Sequence, residues 1–190
     1  MSGGEVIARQ VAWNRLIAIV EEQAQTLMRI AFSPTVREAG DLSAGVFDVA
    51  GRMLAQAVTG TPGHVNAMAA AVGHVLDRYP LQGMRPGDVF LTNDPWKGTG
   101  HLNDFTVVTP VFRGGAALAL TASTSHMVDV GGLGFGADAG DVFEEGVQIP
   151  ILPFAREGVF DEVLLAVIRA NVRFRGEVEG DLRALTACNE

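Results

Sequence analysis

Phe105–Thr124, FTVVTPVFRGGAALALTAST, reads as two strands, Phe105–Phe112 and Ala116–Thr124, joined by the turn Arg113-Gly114-Gly115. Glycine reaches the positive φ values of a tight hairpin turn, and the apolar and β-branched residues on either side favour extended backbone. Two short segments flank this hairpin, Gly100-His101-Leu102-Asn103-Asp104 and Ser125-His126-Met127-Val128-Asp129. Each places a histidine three residues before an aspartate, at the end of a β element. The chain holds only four histidines, so the repeated setting stands out from composition. Two imidazoles and up to two carboxylates from neighbouring strands suit a divalent cation. The plainer alternative has both histidines capping strand ends and hydrogen-bonding to nearby loops.

Outward from the hairpin, the spacing predicts helices on both sides. Val6, Ile7, Val11, Leu16, Ile19, Val20, Ala24, Leu27 and Ile30 recur at helical intervals over residues 5–31, and Ser33-Pro34 ends the run. Gly45–Val49 and Arg52–Val58 form a second hairpin across Val49-Ala50-Gly51. After Gly60-Thr61-Pro62-Gly63, a helix runs from His64 to Tyr79 with Met68, Ala71, Val72, Val75 and Leu76 on its apolar stripe. Val89–Thr92 is a short strand leading into Asn93-Asp94-Pro95. Asp141–Gly146 is a helical turn, Val147–Phe154 is extended, Phe160–Phe174 is a third helix, and Gly180–Cys188 begins a fourth that the chain barely completes. The expected fold is one α+β domain over 1–190, with mixed or antiparallel strands in hairpins packed against long amphipathic helices.

Composition narrows the function classes. The chain has 190 residues, 48% of them hydrophobic, with a formal net charge of -8. That is enough apolar material for a real core, and the charge argues against nucleic acid, which demands a basic face. The mean hydropathy of +0.24 is interrupted near the start by Glu5, Arg9, Arg15, Glu21 and Glu22, so neither a signal peptide nor a membrane span is expected. One cysteine, Cys188, excludes an internal disulfide and fits a cytoplasmic setting. No phosphate-cradling Gly-x-x-x-x-Gly-Lys-Ser/Thr loop and no nucleophile elbow occurs, so any ATP belongs to a partner.

Other polar residues have two readings each. Asp104 reads as a direct metal ligand, and Asp129 as a partner for the second nitrogen of a liganding histidine. Asp94 either faces the same space as His101 and Asp104 or simply forms a turn before Pro95. His64 either contacts substrate as a general acid/base or belongs to the first turn of its helix. His74 reads as a surface residue, and Glu38 and Asp41 as a hydrated loop.

The chain resembles the N-terminal part of the hydantoinase B/oxoprolinase family. The resemblance is carried by Arg37-Glu38-x-x-Asp41-x-Ser43, Phe47-Asp48-x-x-Gly51, Pro62-Gly63-His64 and Pro86-Gly87-Asp88-Val89. It continues through Asn93-Asp94-Pro95-Trp96, Gly98-Thr99-Gly100-His101-Leu102-Asn103-Asp104, His126-x-x-Asp129-x-Gly131-Gly132, Glu145-Gly146-x-x-Ile149-Pro150 and Gly180-Asp181-Leu182-Arg183-Ala184.

The resemblance implies a metal-dependent subunit of an ATP-dependent hydrolase that opens cyclic amides such as a hydantoin, 5-oxoproline or a lactam. It implies an A-type partner subunit that binds ATP and phosphorylates the small-molecule substrate, and hence a hetero-oligomer. By analogy with the related acetone carboxylases, it implies His101, Asp104 and His126 as ligands of zinc, manganese or iron. A ketone carboxylase subunit is the alternative, and a non-catalytic scaffold a third reading. Family members are more than twice as long, so the chain is expected to be a truncated N-terminal portion: a truncated gene product, a fragment, or a split subunit whose second half is a separate chain.

Overall fold

A computed structural model describes residues 2–190. Helix α1 (Gly3–Ile30) begins in a capping box: the Glu5 N–H donates to Ser2 Oγ, and the Ser2 N–H donates back to Glu5 Oε2. It stops at Ala31 because Ser33 caps a separate short helix, α2 (Pro34–Arg37). Strands β1 (Leu42–Phe47) and β2 (Met53–Gln56) follow, then α3 (His64–Arg78), a 3₁₀ turn (Leu81–Gly83) and β3 (Val89–Thr92). The central hairpin is β4 (Asp104–Arg113) and β5 (Ala116–His126). The chain closes with α4 (Val142–Glu145), β6 (Leu152–Arg156), β7 (Val159–Phe160), α5 (Glu162–Asn171) and α6 (Arg175–Cys188).

The seven strands form one sheet in the order β2-β1-β5-β4-β3-β6-β7. Every adjacent pair is antiparallel. Gly114 and Gly115, at φ 60° and 81°, make the two-residue turn whose twist matches the flanking strands. The ladder then runs unbroken in register from Asp104↔His126 to Val111↔Ala119 before a bulge near the turn.

Both sheet faces are covered, which is why β4 and β5 read as apolar runs with little alternation. On one face α3 packs Met68, Val72 and Val75 against Phe47, Phe90, Val108, Leu120 and Ala122. On the other, Val20, Ala24 and Leu27 of α1 and Leu182 and Leu185 of α6 join Ala44, Val46 and Val107. Each of the valine, leucine, methionine and phenylalanine side chains among these, fully buried, contributes about 1.5–3 kcal/mol. The apolar stripe expected along all of α1 is covered only in its second half. Val6, Ile7, Val11 and Trp13 are exposed, and burial begins at Val20.

Three expectations change. The third helix does not run to Phe174; it ends at Asn171, Val172 is extended at ψ 152°, and a new helix starts at Arg175. The break is held from a distance, because Asp129 accepts the backbone N–H groups of both Arg173 and Phe174. The last helix is a full element from Arg175 to Cys188 with much of its length buried. Burial pushes the Cys188 thiol up to about 12. Finally, residues 147–150 stay outside the ladder, bound to the Asn93 side chain, which donates to Val147 O and accepts from the Ile149 N–H.

Candidate metal centre

Asp104 opens β4 and His126 closes β5, so their backbone pairing sets the two side chains side by side. Residues two apart along a strand share a face. Thr106, Val108 and Ala122 therefore show where this pair points, toward α3. His64 is the first residue of α3 and meets the pair from above. Asp41 immediately precedes β1, the neighbour of β5, and its carbonyl accepts the His126 N–H. His101 comes from the loop before β4, after Gly100 at φ 97°.

The distances describe one cluster. Asp104 Oδ1 lies 3.0 Å from His126 Nδ1, and Asp104 Oδ2 lies 2.9 Å from His101 Nε2 and 3.1 Å from His64 Nε2. Asp41 stands behind, Oδ1 at 3.6 Å from His64 Nε2 and Oδ2 at 3.9 Å from His126 Nδ1. The Thr61 hydroxyl fixes it by donating to Asp41 Oδ1 at 2.6 Å. Only 1% of the Asp104 side chain is exposed, against 34% for His101 and 33% for Asp41, so the cluster reaches solvent at His101 and at Asp41.

Burial alone would raise the Asp104 carboxyl, but the imidazoles of His101, His126 and His64 and the Thr99 hydroxyl outweigh it and hold it far below the usual range. The same contact raises His101, against its own partial burial and with help from the Glu145 charge.

Close approach is not the same as hydrogen bonding here. Asp104 Oδ2 has two imidazole nitrogens within reach, yet neither makes a hydrogen-bond angle with it, and His64 Nδ1 and His101 Nδ1 are also buried without partners. Buried polar groups of this kind are few, and water, a ligand or an ion ordinarily meets them. One donor atom each from His101, Asp104 and His126 lies within 4.8 Å of the others. Imidazole nitrogen with carboxylate oxygen is a donor set that zinc, manganese and iron accept. The residues present thus fit a divalent cation, with Asp41 and His64 close enough to complete or flank its shell.

Asp41 was legible only as a hydrated loop, and the structure moves it into the cluster. His64, read either as a substrate contact or as part of the first turn of its helix, does open α3, and its Nε2 lies against both carboxylates. Asp94 does not join: its Oδ1 accepts the Trp96 N–H, forming the turn before Pro95. Asp129 makes no contact with either histidine. Its oxygens accept from Gly131 N–H, Arg173 N–H and Nη1, and Phe174 N–H, clasping the Gly-rich loop to the α5–α6 junction. His74 lies on α3 away from the cluster.

The family model described as hydantoinase B/oxoprolinase matches residues 5–190. Among curated relatives, the 5-oxoprolinase PfmaA of Pestalotiopsis fici is 31% identical over 189 residues, covering 93% of this chain and 15% of its own length. A nucleotide-free acetone carboxylase structure superposes with a TM-score of 0.86 at 28% identity, covering 97% of this chain and 25% of that one. The ATP-dependent caprolactamase from Pseudomonas jessenii gives 0.85 at 28% identity, covering 96% and 32%. The chain therefore spans less than a third of the length of these proteins.

Proposed function

Because the chain belongs to the hydantoinase B/oxoprolinase family, we propose that it carries the metal-dependent part of an ATP-dependent enzyme that opens a cyclic amide. An amide carbonyl is a poor electrophile until its oxygen is made a leaving group. An A-type subunit that binds ATP would transfer the γ-phosphoryl group to that oxygen, releasing ADP. Water then adds to the carbon, the C–N bond breaks with its electron pair going to nitrogen, and nitrogen takes a proton. A second water displaces phosphate from the resulting acyl phosphate. A divalent cation held by His101, Asp104 and His126 supplies Lewis-acid polarisation at the reacting oxygen.

The remaining residues have distinct tasks in this reading. His64, between Asp104 and Asp41, carries the proton that leaves water and reaches the ring nitrogen. Asp41 holds His64 and balances the charge of the cation. Asp94 and Asp129 act through the backbone, keeping the loops on the His101 side in place. Among the described residues no helix is long and apolar enough to cross a membrane.

The observation that carries the proposal is the convergence of one donor atom each from His101, Asp104 and His126 within 4.8 Å, with Asp104 Oδ2 left without a hydrogen bond. Elemental analysis of the purified chain beside His101→Ala and His126→Ala tests it. One equivalent of metal that both substitutions abolish is expected, followed by ATP-dependent ring opening once an A-type subunit is added. A folded wild-type chain without metal affinity would overturn it. The near-equal likeness to acetone carboxylase and caprolactamase supports ketone carboxylation as a second reading. Incorporation of labelled bicarbonate into product separates the two.

A further inference from the structure

A liganding imidazole is ordinarily held at its rotation by a hydrogen bond from the second ring nitrogen. Among the described residues, neither imidazole of the candidate donor set has one. His101 turns Nε2 to Asp104, and its Nδ1 is buried without a partner. The Asn103 amide comes near the His101 ring without completing a hydrogen bond to that nitrogen, and its Nδ2 is spent on Met127 O. The His126 ring hydrogen-bonds through Nδ1 alone, with Asp104 Oδ1. A nitrogen that ligates a cation carries no proton, so that bond is given up once an ion arrives.

Packing stands where the hydrogen bonds are missing. The Phe135 ring meets the His126 imidazole edge-on at 4.7 Å between centroids, and lies 6.2 Å from that of His101. The two imidazoles are themselves 5.2 Å apart. Aromatic rings attract one another at these separations. Phe135 is 76% exposed, so filling a core is not its role, and the rings it meets are those of the two histidines.

Its loop is built to hold it there. Glu144 closes both ends of residues 133–140: its carbonyl accepts the Leu133 N–H at 2.9 Å, and its Oε2 accepts the Gly140 N–H at 2.7 Å. Arg173 donates to the carbonyls of Gly131 and Gly132. Gly132, at φ 55°, has no room for a Cβ, which would meet Glu144 O at 2.3 Å.

We propose that Phe135 is a positioning residue of the metal centre, whose ring keeps the His101 and His126 imidazoles turned toward the ion in place of hydrogen-bonded partners. This rests on the metal-dependent reading above. Phe135 acts through the two histidines.

The test uses the full chain and cobalt(II) alone, whose visible absorption reports the geometry of its ligands. Affinity is read by titration and release by transfer to a chelator. Phe135→Ala should still take up one equivalent at saturation, but bind it about tenfold more weakly and release it about tenfold faster. Its visible spectrum should change, while circular dichroism and the denaturant midpoint of the metal-free chain stay those of the wild type. Phe135→Tyr keeps the ring and should bind as the wild type does, as should Leu133→Ala, which removes another exposed apolar side chain from the same loop. Wild-type affinity, release and spectrum in Phe135→Ala would overturn the positioning role while leaving the centre intact. So would a Phe135→Tyr or Leu133→Ala chain as weak as Phe135→Ala. A folded wild-type chain that takes up no cobalt would overturn the centre itself, and this role with it.

Discussion

Asp104 and His126 are register partners at the end of the β4–β5 ladder, and that one pairing sets Asp104 Oδ1 3.0 Å from His126 Nδ1. The carboxylate is thereby committed to the imidazoles before any ion arrives. Asp104→Asn keeps the size and removes the charge. We expect metal affinity to fall at least about 100-fold while the far-ultraviolet circular dichroism stays that of the wild type. Stoichiometric metal in a folded Asp104→Asn chain would remove Asp104 from the ligand set.

Asp129 should behave in the opposite way. Its substitution by alanine strands three backbone N–H groups and the Arg173 guanidinium. We expect a loss of about 3 kcal/mol in denaturant unfolding, with metal stoichiometry in the folded protein unchanged. A stable variant that loses its metal would mean that Asp129 acts on the centre after all.

Gly180 lies in α6 against Phe32, and a Cβ there would sit 2.3 Å from the ring's Cγ. Gly180→Ala should cost about 1–3 kcal/mol, an overpacking penalty. The same change made in a Phe32→Ala background should cost markedly less. Strict additivity in that double-mutant cycle would show that the contact is not the cause.

Glu179 links Arg169 and Arg183 across the α5–α6 pair. Arg169 first, then Arg183, hold its carboxyl down at about 2 against some burial, from an ordinary 4.5. A depressed native value means the stabilisation is complete above 4.5 and is lost as pH falls toward 2. With solvent screening the loss is about 1 kcal/mol. Stability measured across that window should fall less steeply in Glu179→Gln, and parallel curves for the two proteins would refute the assignment.

The central hairpin was legible because glycines mark its turn and its strands carry local preference. The break at Val172–Phe174 was not, since no proline or glycine marks it and the groups that hold it come from Asp129. The two His-x-x-Asp segments show the limit more sharply. Their spacing is identical, but Asp104 lies on a strand with His101 looping back toward it, whereas His126 lies on a strand and Asp129 leaves along the next loop. Equal intervals in sequence became one shared cluster and one distant clasp. Asp41 was misjudged for the same reason: its neighbours come from β5 and α3, which local composition does not reveal.

The donors of the cluster come from the ends of β4 and β5, the start of α3 and the residue before β1, so no fragment of the chain owns the site. A sheet slipped by one residue would turn Asp104 or His126 to the opposite face, and an ion offered to such a chain would find nothing to hold it. The cation proposed for this cluster would therefore be held only by a chain whose strands, far apart in sequence, have found the correct alignment.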